Sequence, residues 1–375
     1  MALLLQPGGG KIVIKGQKIE LKVNSYKRWV EAQNIPVIKE YYIEDLKTAG
    51  VGNWPFKGDG AKGAILNLIG TQDSNDAYIL EIPPGGSIKP QRMMFEEFYL
   101  VLDGDGSSTV WNDENKKISF EWSEGSLFSP PLNTWRQHFN GSGDKPARFL
   151  VVTSAPIIFN LFRNEKFVFG NNFSFGDRFD EEPDAFSGPG VTYPVGATTV
   201  WDTNFVPDVR TLGLHRRNNR GAGGSFIGLE MGENQMTAHI SEMPVGTYKK
   251  AHRHGAGAHV VIIGGEGYSL MWPEGEKPKV FPWKYGSVVV PPEMWFHQHF
   301  NTGAEPARYL AIRWGARKFV RAVGFADGGT DVSVKEGGHQ IEYADEDPKV
   351  RAMFEEALAR NGVKSKMDDV LKLAS

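Results

Sequence analysis

His252 and His254 stand two residues apart, and His297 follows about forty residues later. Residues i and i+2 of a strand point to the same face. A third imidazole from a later strand can then close a metal site. Imidazole suits iron, nickel, copper and zinc, and manganese with help from other ligands. Gly246 precedes the pair by six residues, and Gly286-Ser287-Val288-Val289-Val290-Pro291-Pro292 precedes His297. Each is a glycine turn leading into an alternating or apolar run, the pattern of a short strand. The chemistry therefore needs a scaffold of short strands.

That scaffold is written twice. Displaced by 161 residues, the chain matches itself without a gap over about sixty positions. Glu81-Ile82-Pro83-Pro84-Gly85 meets Glu242-Met243-Pro244-Val245-Gly246, and Gln137-His138-Phe139-Asn140 meets Gln298-His299-Phe300-Asn301. Trp111 meets Trp272 and Trp122 meets Trp283, and after one dropped residue Pro146-Ala147-Arg148 meets Pro306-Ala307-Arg308. The period is far above that of solenoids, so this is a duplicated domain. The repeat also serves as an internal control. Gln91, Met93 and Arg136 stand where the second copy has His252, His254 and His297. Residues kept in both copies read as scaffold; residues present in one copy read as chemistry.

Composition narrows the field. Lys+Arg 42 against Asp+Glu 45 leaves a net charge of −3, which gives no footprint for nucleic acid or an anionic membrane. With no cysteine, disulfides, thiolate chemistry, Cys-ligated zinc and iron–sulfur sites are excluded. No charged and then apolar segment opens the chain and no long apolar run occurs, so a cytoplasmic protein is expected. The 44 glycines, 22 prolines and 12% aromatics fit many short strands joined by tight turns.

The expected organisation is an N-terminal extension at 1–34, a first repeat at 35–156, a connector at 157–195, a second repeat at 196–320 and a tail at 321–375. The extension carries an alternating segment, Lys11–Lys15, and a helix near Ser25–Gln33 with Ser25 as its cap. The connector holds eight phenylalanines, so it is expected to pack on the repeats, since disordered linkers lack aromatics. The tail is expected to hold a helix from about Pro348 to Arg360, capped by Asp347 and followed by Gly362, and a short helix at Lys366–Leu373. Short strands with frequent turns predict an all-β sandwich or barrel in each repeat, with helices confined to the ends.

These residues resemble the cupin superfamily. Its first motif is a glycine, five residues, His-x-His, three or four residues, a glutamate, six residues and a glycine; Gly246, His252, His254 and Gly265 fit it. Its second motif is matched by Gly286, Pro292, His297 and Asn301, and the first copy keeps Gly85, Glu97, Gly104, Gly125, Pro131 and Asn140. The resemblance covers roughly 60–156 and 220–315. It implies an all-β bicupin, two double-stranded β-helix (jelly-roll) barrels with a few terminal helices, and a first barrel without metal. The usual glutamate ligand falls on Ala258. In that respect, and through Trp295, His297, His299 and Asn301, the chain resembles the gentisate and salicylate dioxygenases, which hold one Fe(II) on three histidines and cleave aromatic rings. Their arginine shortly after the histidine pair is replaced by Val260 or Val261 here.

The resemblance implies a non-haem Fe(II)-dependent dioxygenase that cleaves a C–C bond of a small hydroxylated aromatic substrate with O2. Mn, Ni, Cu or Zn could occupy the same ligands. The alternatives are a redox-neutral metal-dependent isomerase, hydrolase or decarboxylase, and a non-enzymatic small-molecule-binding bicupin. His299 shares the strand face of His297, but His138 holds the same place in the copy without ligands, so a structural role and proton transfer both stand. His259 could ligate or line the pocket if a bulge turned it inward. Trp272, Trp283 and Trp295 are candidates for the substrate wall, and Arg313 for binding a carboxylate. His215-Arg216-Arg217-Asn218-Asn219-Arg220 reads either as a solvated turn or as a basic lip for an anion. Glu96 and Glu97 read as buried hydrogen-bonding groups. A homodimer or homotetramer is expected, because the aromatic connector and the N-terminal segment supply apolar surface.

Overall fold

Runs such as Phe98-Tyr99-Leu100-Val101-Leu102 and Val260-Val261-Ile262-Ile263 are apolar at every position, so each must find apolar cover on both faces. The architecture follows from that demand. The computed structural model describes residues 10–14, 17–71, 73–113, 115–221, 223–255, 257–319 and 329–374. Besides two short strands, Tyr42–Ile43 and Gly52–Asn53, the first repeat forms the eight that recur: β1 (Lys62–Ile65), β2 (Asp76–Ile82), β3 (Glu97–Asp103), β4 (Gly106–Trp111), β5 (Ile118–Trp122), β6 (Leu127–Phe128), β7 (Trp135–Asn140) and β8 (Ala147–Thr153). The second repeats them as β9 (Ser225–Glu230), β10 (Met236–Met243), β11 (His259–Gly264), β12 (Gly267–Trp272), β13 (Lys279–Trp283), β14 (Val288–Val289), β15 (Phe296–Asn301) and β16 (Ala307–Trp314). A larger sheet ordered β6-β3-β8-β2-β1 faces a smaller one ordered β7-β4-β5; their counterparts are β14-β11-β16-β10-β9 and β15-β12-β13. The fold is all-β: two jelly-roll barrels of the same strand order, with few helices. Register repeats as well: Asn140 pairs with Gly106 on the first smaller sheet, and Asn301 with Gly267 on the second.

Strand alternation sorts the apolar residues into two cores. Tyr78, Leu80, Ile82, Tyr99, Val101, Phe149 and Val151 fill the first barrel. Their neighbours Ala77, Ile79, Phe98, Leu100, Leu150 and Val152 point out and meet Leu229, Ile240, Val261, Ile263, Leu310 and Ile312 of the second barrel. The barrels thus pack through the outer faces of their larger sheets. Each also lends the other an edge strand: Tyr42–Ile43 pairs with β14, and Phe205–Val206 pairs with β6. The arginine kept in both repeats fastens the chain beyond each loan. Arg148 donates to the carbonyls of Leu46 and Ala49 and pairs with Glu81. Arg308 donates to those of Arg210 and Leu212 and pairs with Glu242.

Helices differ from expectation in two places. α1 (Ser25–Ala32) is capped by Asn24, whose side chain accepts from the Lys27 amide; Ser25 is its first residue and not its cap. Two short helices, α2 (Ala155–Phe162) and α3 (Glu165–Gly170), lie at the start of the connector and not at a chain end. Here Phe159, Val168, Phe179 and Phe186 join the core of the first barrel. The tail helix α4 (Pro348–Arg360) has Asp347 as its cap, and α5 (Met367–Ala374) follows. Phe354 and Leu358 of α4 pack on Tyr248, Tyr268 and Phe300, covering the second barrel. The alternating N-terminal segment forms a hairpin, Gly10–Ile14 with Gln17–Leu21; Lys15 lies outside the described residues. None of the described helices is long and apolar enough to cross a membrane.

The inward residues of β7 are polar. Arg136, His138 and Asn140 are buried. Each is matched inside: Arg136 Nη2 lies 2.7 Å from Glu97 Oε2, His138 Nδ1 lies 2.7 Å from Ser108 Oγ, and Asn140 donates to three carbonyls. Glu97 also accepts from Tyr78 and Tyr99. Burial pushes the Glu97 carboxyl up, but Lys57, Arg136 and the two phenols outweigh it and hold it at about 2. Glu96 accepts the amides of Gln235 and Met236 at 2.9 and 2.8 Å, binding the first barrel to the start of β10. Both glutamates have the buried hydrogen-bonding roles read from the sequence.

Glu97→Gln strands the Arg136 cation, so it should cost about 3–5 kcal/mol in urea unfolding. Because the carboxyl is held below its usual value of 4.5, its contribution is complete above that pH and is lost as pH falls toward about 2. The wild-type and variant stability curves should therefore converge on acidification; parallel curves would contradict the assignment.

Candidate metal centre

The segment that carries His252 and His254 enters the second barrel at the turn of Gly246. There φ is +72°, and an added Cβ would lie 2.3 Å from the Lys364 carbonyl oxygen. It then runs antiparallel to β15. The His252 amide donates to the His297 carbonyl at 3.1 Å, and the His297 amide returns the bond at 2.9 Å. Gln91 and Arg136 make the same reciprocal pair in the first barrel. His252, His254 and His297 converge, with one ring nitrogen from each lying within 4.8 Å of the others.

The hydrogen bonds decide which nitrogens are offered. Nδ1 of His252 faces the Lys250 carbonyl at 3.2 Å, Nδ1 of His254 faces that of Gly255 at 2.8 Å, and Nδ1 of His297 faces that of Trp295 at 3.3 Å. A carbonyl only accepts, so each Nδ1 carries the proton and each Nε2 keeps its lone pair. The contact of Arg220 Nη1 with His252 Nε2, 2.8 Å, requires the same tautomer, because a guanidinium only donates. Burial lowers the proton affinity of all three rings. Arg220 and His297 lower His252 further, and His297 and Arg313 lower His254 further. His297 is brought down to about 4. Three neutral imidazoles with outward lone pairs fit a divalent transition metal.

Beside His254 and Ala258 opens a cavity of about 210 Å3. Arg217, Arg220, Arg313, Arg317 and Lys249 line it, with Phe226, His239, Ser241 and Tyr309. Asp331 of the tail pairs with Arg217 at 2.9 Å and with Arg220 at 2.6 Å. The tail also runs along the histidine segment: the Arg253 amide donates to the His339 carbonyl, and the Ile341 amide to that of Ala251.

Arg313 lies in the cavity wall, together with Arg217 and Arg220 of the 215–220 run, while His215 and Arg216 are exposed. Other candidates lie elsewhere. Trp283 Nε1 donates to Ser269 Oγ, which lies 2.7 Å from His299 Nδ1. Trp122, Ser108 and His138 form the same chain in the first barrel. The arrangement recurs in the barrel without the triad and so belongs to the framework; neither Trp283 nor His299 is part of the cavity lining. Trp272 stacks on Phe296, and Trp295 packs on Tyr41; neither lines the cavity. His259 is fully buried, faces Asn75 Nδ2 at 3.2 Å and stays outside the histidine triad. No bulge turns it inward; it pairs in register with Ile312.

His239, Ser241, Lys249 and Tyr309 were missed by the motif reading. The internal repeat held the signal. Their counterparts Tyr78, Leu80, Ile88 and Phe149 all belong to the core of the first barrel. Where one barrel is filled, the other is hollow and polar.

No protein-family model matches the chain, and no curated protein does. Solved structures similar to it include the formate complex of Lactobacillus farciminis oxalate decarboxylase. That match has 14% identity and a TM-score of 0.48, and covers 73% of this chain and 86% of that one. A mutant of Bacillus subtilis oxalate decarboxylase OxdC matches at 13% identity and a TM-score of 0.48, over 80% and 86%. Likeness of this degree does not extend to substrate, metal or reaction. The double barrel stands on the strand order and register of the chain itself.

Replacing His252, His254 or His297 by Ala should lower bound metal from about one per chain to a small fraction, as measured by elemental analysis. Ala258→Glu should retain or tighten metal, since it adds a carboxylate beside the triad. Weaker retention in Ala258→Glu would show that position 258 does not face the metal.

Proposed function

We propose that the chain is a metal-dependent enzyme that carries out redox-neutral chemistry, isomerisation, hydrolysis or decarboxylation, on a small oxyacid with two or more negative charges. The observation that carries this reading is the concentration of Arg217, Arg220, Arg313 and Arg317, against the one carboxylate of Asp331, around a cavity that reaches His254. Guanidinium groups bind carboxylates in pairs of parallel hydrogen bonds, and burial strengthens them. At about 210 Å3 the cavity is below the roughly 300–1,000 Å3 of pockets for drug-sized ligands, which favours a substrate of few heavy atoms. His252, His254 and His297 would hold the metal, which supplies a Lewis acid for the substrate's oxygens. The arginines hold the anion, and the tail segment from Gly329 to Val332 closes one side against water.

The O2-dependent cleavage expected from the sequence remains the second reading. Ala258 in the cavity wall leaves room where a glutamate would stand, and Phe226 stacked on His239 at 5.0 Å offers one aromatic face. The absence of Trp272, Trp283 and Trp295 from the lining weighs against an aromatic substrate.

Protein loaded with Mn(II) or Fe(II) and offered small di- and tricarboxylates without O2 should turn one of them over fully. Turnover that stops without O2 would install the dioxygenase reading instead. Arg217→Ala and Arg313→Ala should each weaken malonate binding roughly tenfold in calorimetry, the loss of one charge-assisted hydrogen bond. Unchanged affinity in both would place the anion elsewhere.

A further inference from the structure

Lys249 is 7% exposed, yet no carboxylate among the described residues lies within ion-pair distance of it. Its Nζ donates to Ser241 Oγ and, at 2.9 Å, to the Tyr309 hydroxyl, and it lines the cavity. Buried lysines are ordinarily paired. A neutral amine, by contrast, satisfies both hydroxyls with its two N–H bonds and leaves its lone pair for a third partner.

The backbone fixes its aim. The Lys249 amide donates to the His299 carbonyl at 3.1 Å, three residues before the bridge of His252 with His297. The same extended segment therefore carries the amine and two of the three imidazoles. The first barrel gives an independent sign. Ser241, Lys249 and Tyr309 correspond there to Leu80, Ile88 and Phe149, all core residues of the barrel that lacks the histidines. The first barrel has a buried lysine of its own, Lys57 bonded to Tyr78, but that one lies 4.0 Å from the Glu97 carboxylate, and Lys249 has no such partner among the described residues.

Resting on the reading of the cavity as an anion site, we propose that Lys249, hydrogen-bonded to Tyr309, is the proton-transfer group of this enzyme. One proton passes between Nζ and an atom of the substrate held by the arginines. As base, the amine uses its lone pair to form an N–H bond while the substrate's bond to that hydrogen breaks and leaves its electron pair on the substrate atom; as acid, the ammonium reverses this, and neither direction needs an electron acceptor. Groups from every side bear on the amine: Arg217 and Arg220 from the 215–220 run, His239 from β10, His299 from β15, and Tyr309 and Arg313 from β16. Burial lowers its proton affinity, the phenol raises it, and Arg220 and Arg217 lower it again. The balance favours a neutral amine more than at an exposed lysine, the condition for exchanging a proton near neutral pH.

The test is competitive acetylation of the whole metal-loaded protein with acetic anhydride, followed by mass spectrometry across neutral and alkaline pH. Exposed Lys277 serves as the reference. The labelling midpoint of Lys249 should fall below that of Lys277. Tyr309→Phe should move it lower still, because the phenol favours the ammonium, and should shift the pH profile of turnover in the same direction, which a merely structural lysine would not do. Malonate at ten times its Kd should slow labelling of Lys249 roughly tenfold. A midpoint at or above that of Lys277, no labelling at any pH, or malonate binding without protection would each overturn the proposal. Failure of malonate to bind at all would contradict the anion cavity, while the midpoint would still decide the role of Lys249.

Discussion

Three imidazoles can share one small buried volume only while all are neutral. That constraint organises the second barrel. It demands an acceptor for each Nδ1 proton, and Lys250, Gly255 and Trp295 supply backbone carbonyls. Backbone acceptors must be placed by the strand and turn themselves, so the reciprocal bridge between His252 and His297 is as much a part of the site as the rings. The same lone pair on His252 can serve the Arg220 guanidinium or a metal, and not both at once.

The first barrel shows how the same fold is stabilised without the triad. Arg136 takes the place of His297, and Glu97 takes that of Ala258; together they put a buried ion pair where the other barrel gathers imidazoles. Around that pair Tyr78, Leu80, Ile88 and Phe149 fill the interior. Both copies keep an apolar core, but the second opens into a cavity lined by arginines where the first is filled. Packing the larger sheets back to back lets the filled barrel support the hollow one, and the loaned strands and the Arg148 and Arg308 clamps tie the two across that contact.

Much of this was written in the sequence. The repeat, the glycine turns and the spacing of His252, His254 and His297 gave the double barrel and the triad. Turn glycines are legible because a side chain cannot fit: a Cβ at Gly106 or Gly267 would lie about 2 Å from the carbonyl oxygen of Phe139 or Phe300. The polar inward face of β7 is another matter, since propensity does not register a buried Arg136 that has found Glu97. The Asn24 cap was one residue from the expected Ser25, an ordinary uncertainty of helix ends. The tryptophans misled for another reason. They are conspicuous and apolar, but Trp283 is committed to Ser269 and Trp295 to Tyr41, and long-range pairing of that kind leaves no mark on local sequence. The cavity lining came from applying the repeat only to ligand positions; applied to every inward position, it would have singled out His239, Ser241, Lys249 and Tyr309.

The central claim is that one barrel, and one set of nitrogens, holds the metal. Anomalous diffraction at the metal's absorption edge, from crystals of the metal-loaded protein, tests it most directly. The account predicts one peak per chain, coordinated by Nε2 of His252, His254 and His297, with Arg220 withdrawn from His252. A peak beside Gln91, Met93 and Arg136, or ligation through Nδ1, would contradict it.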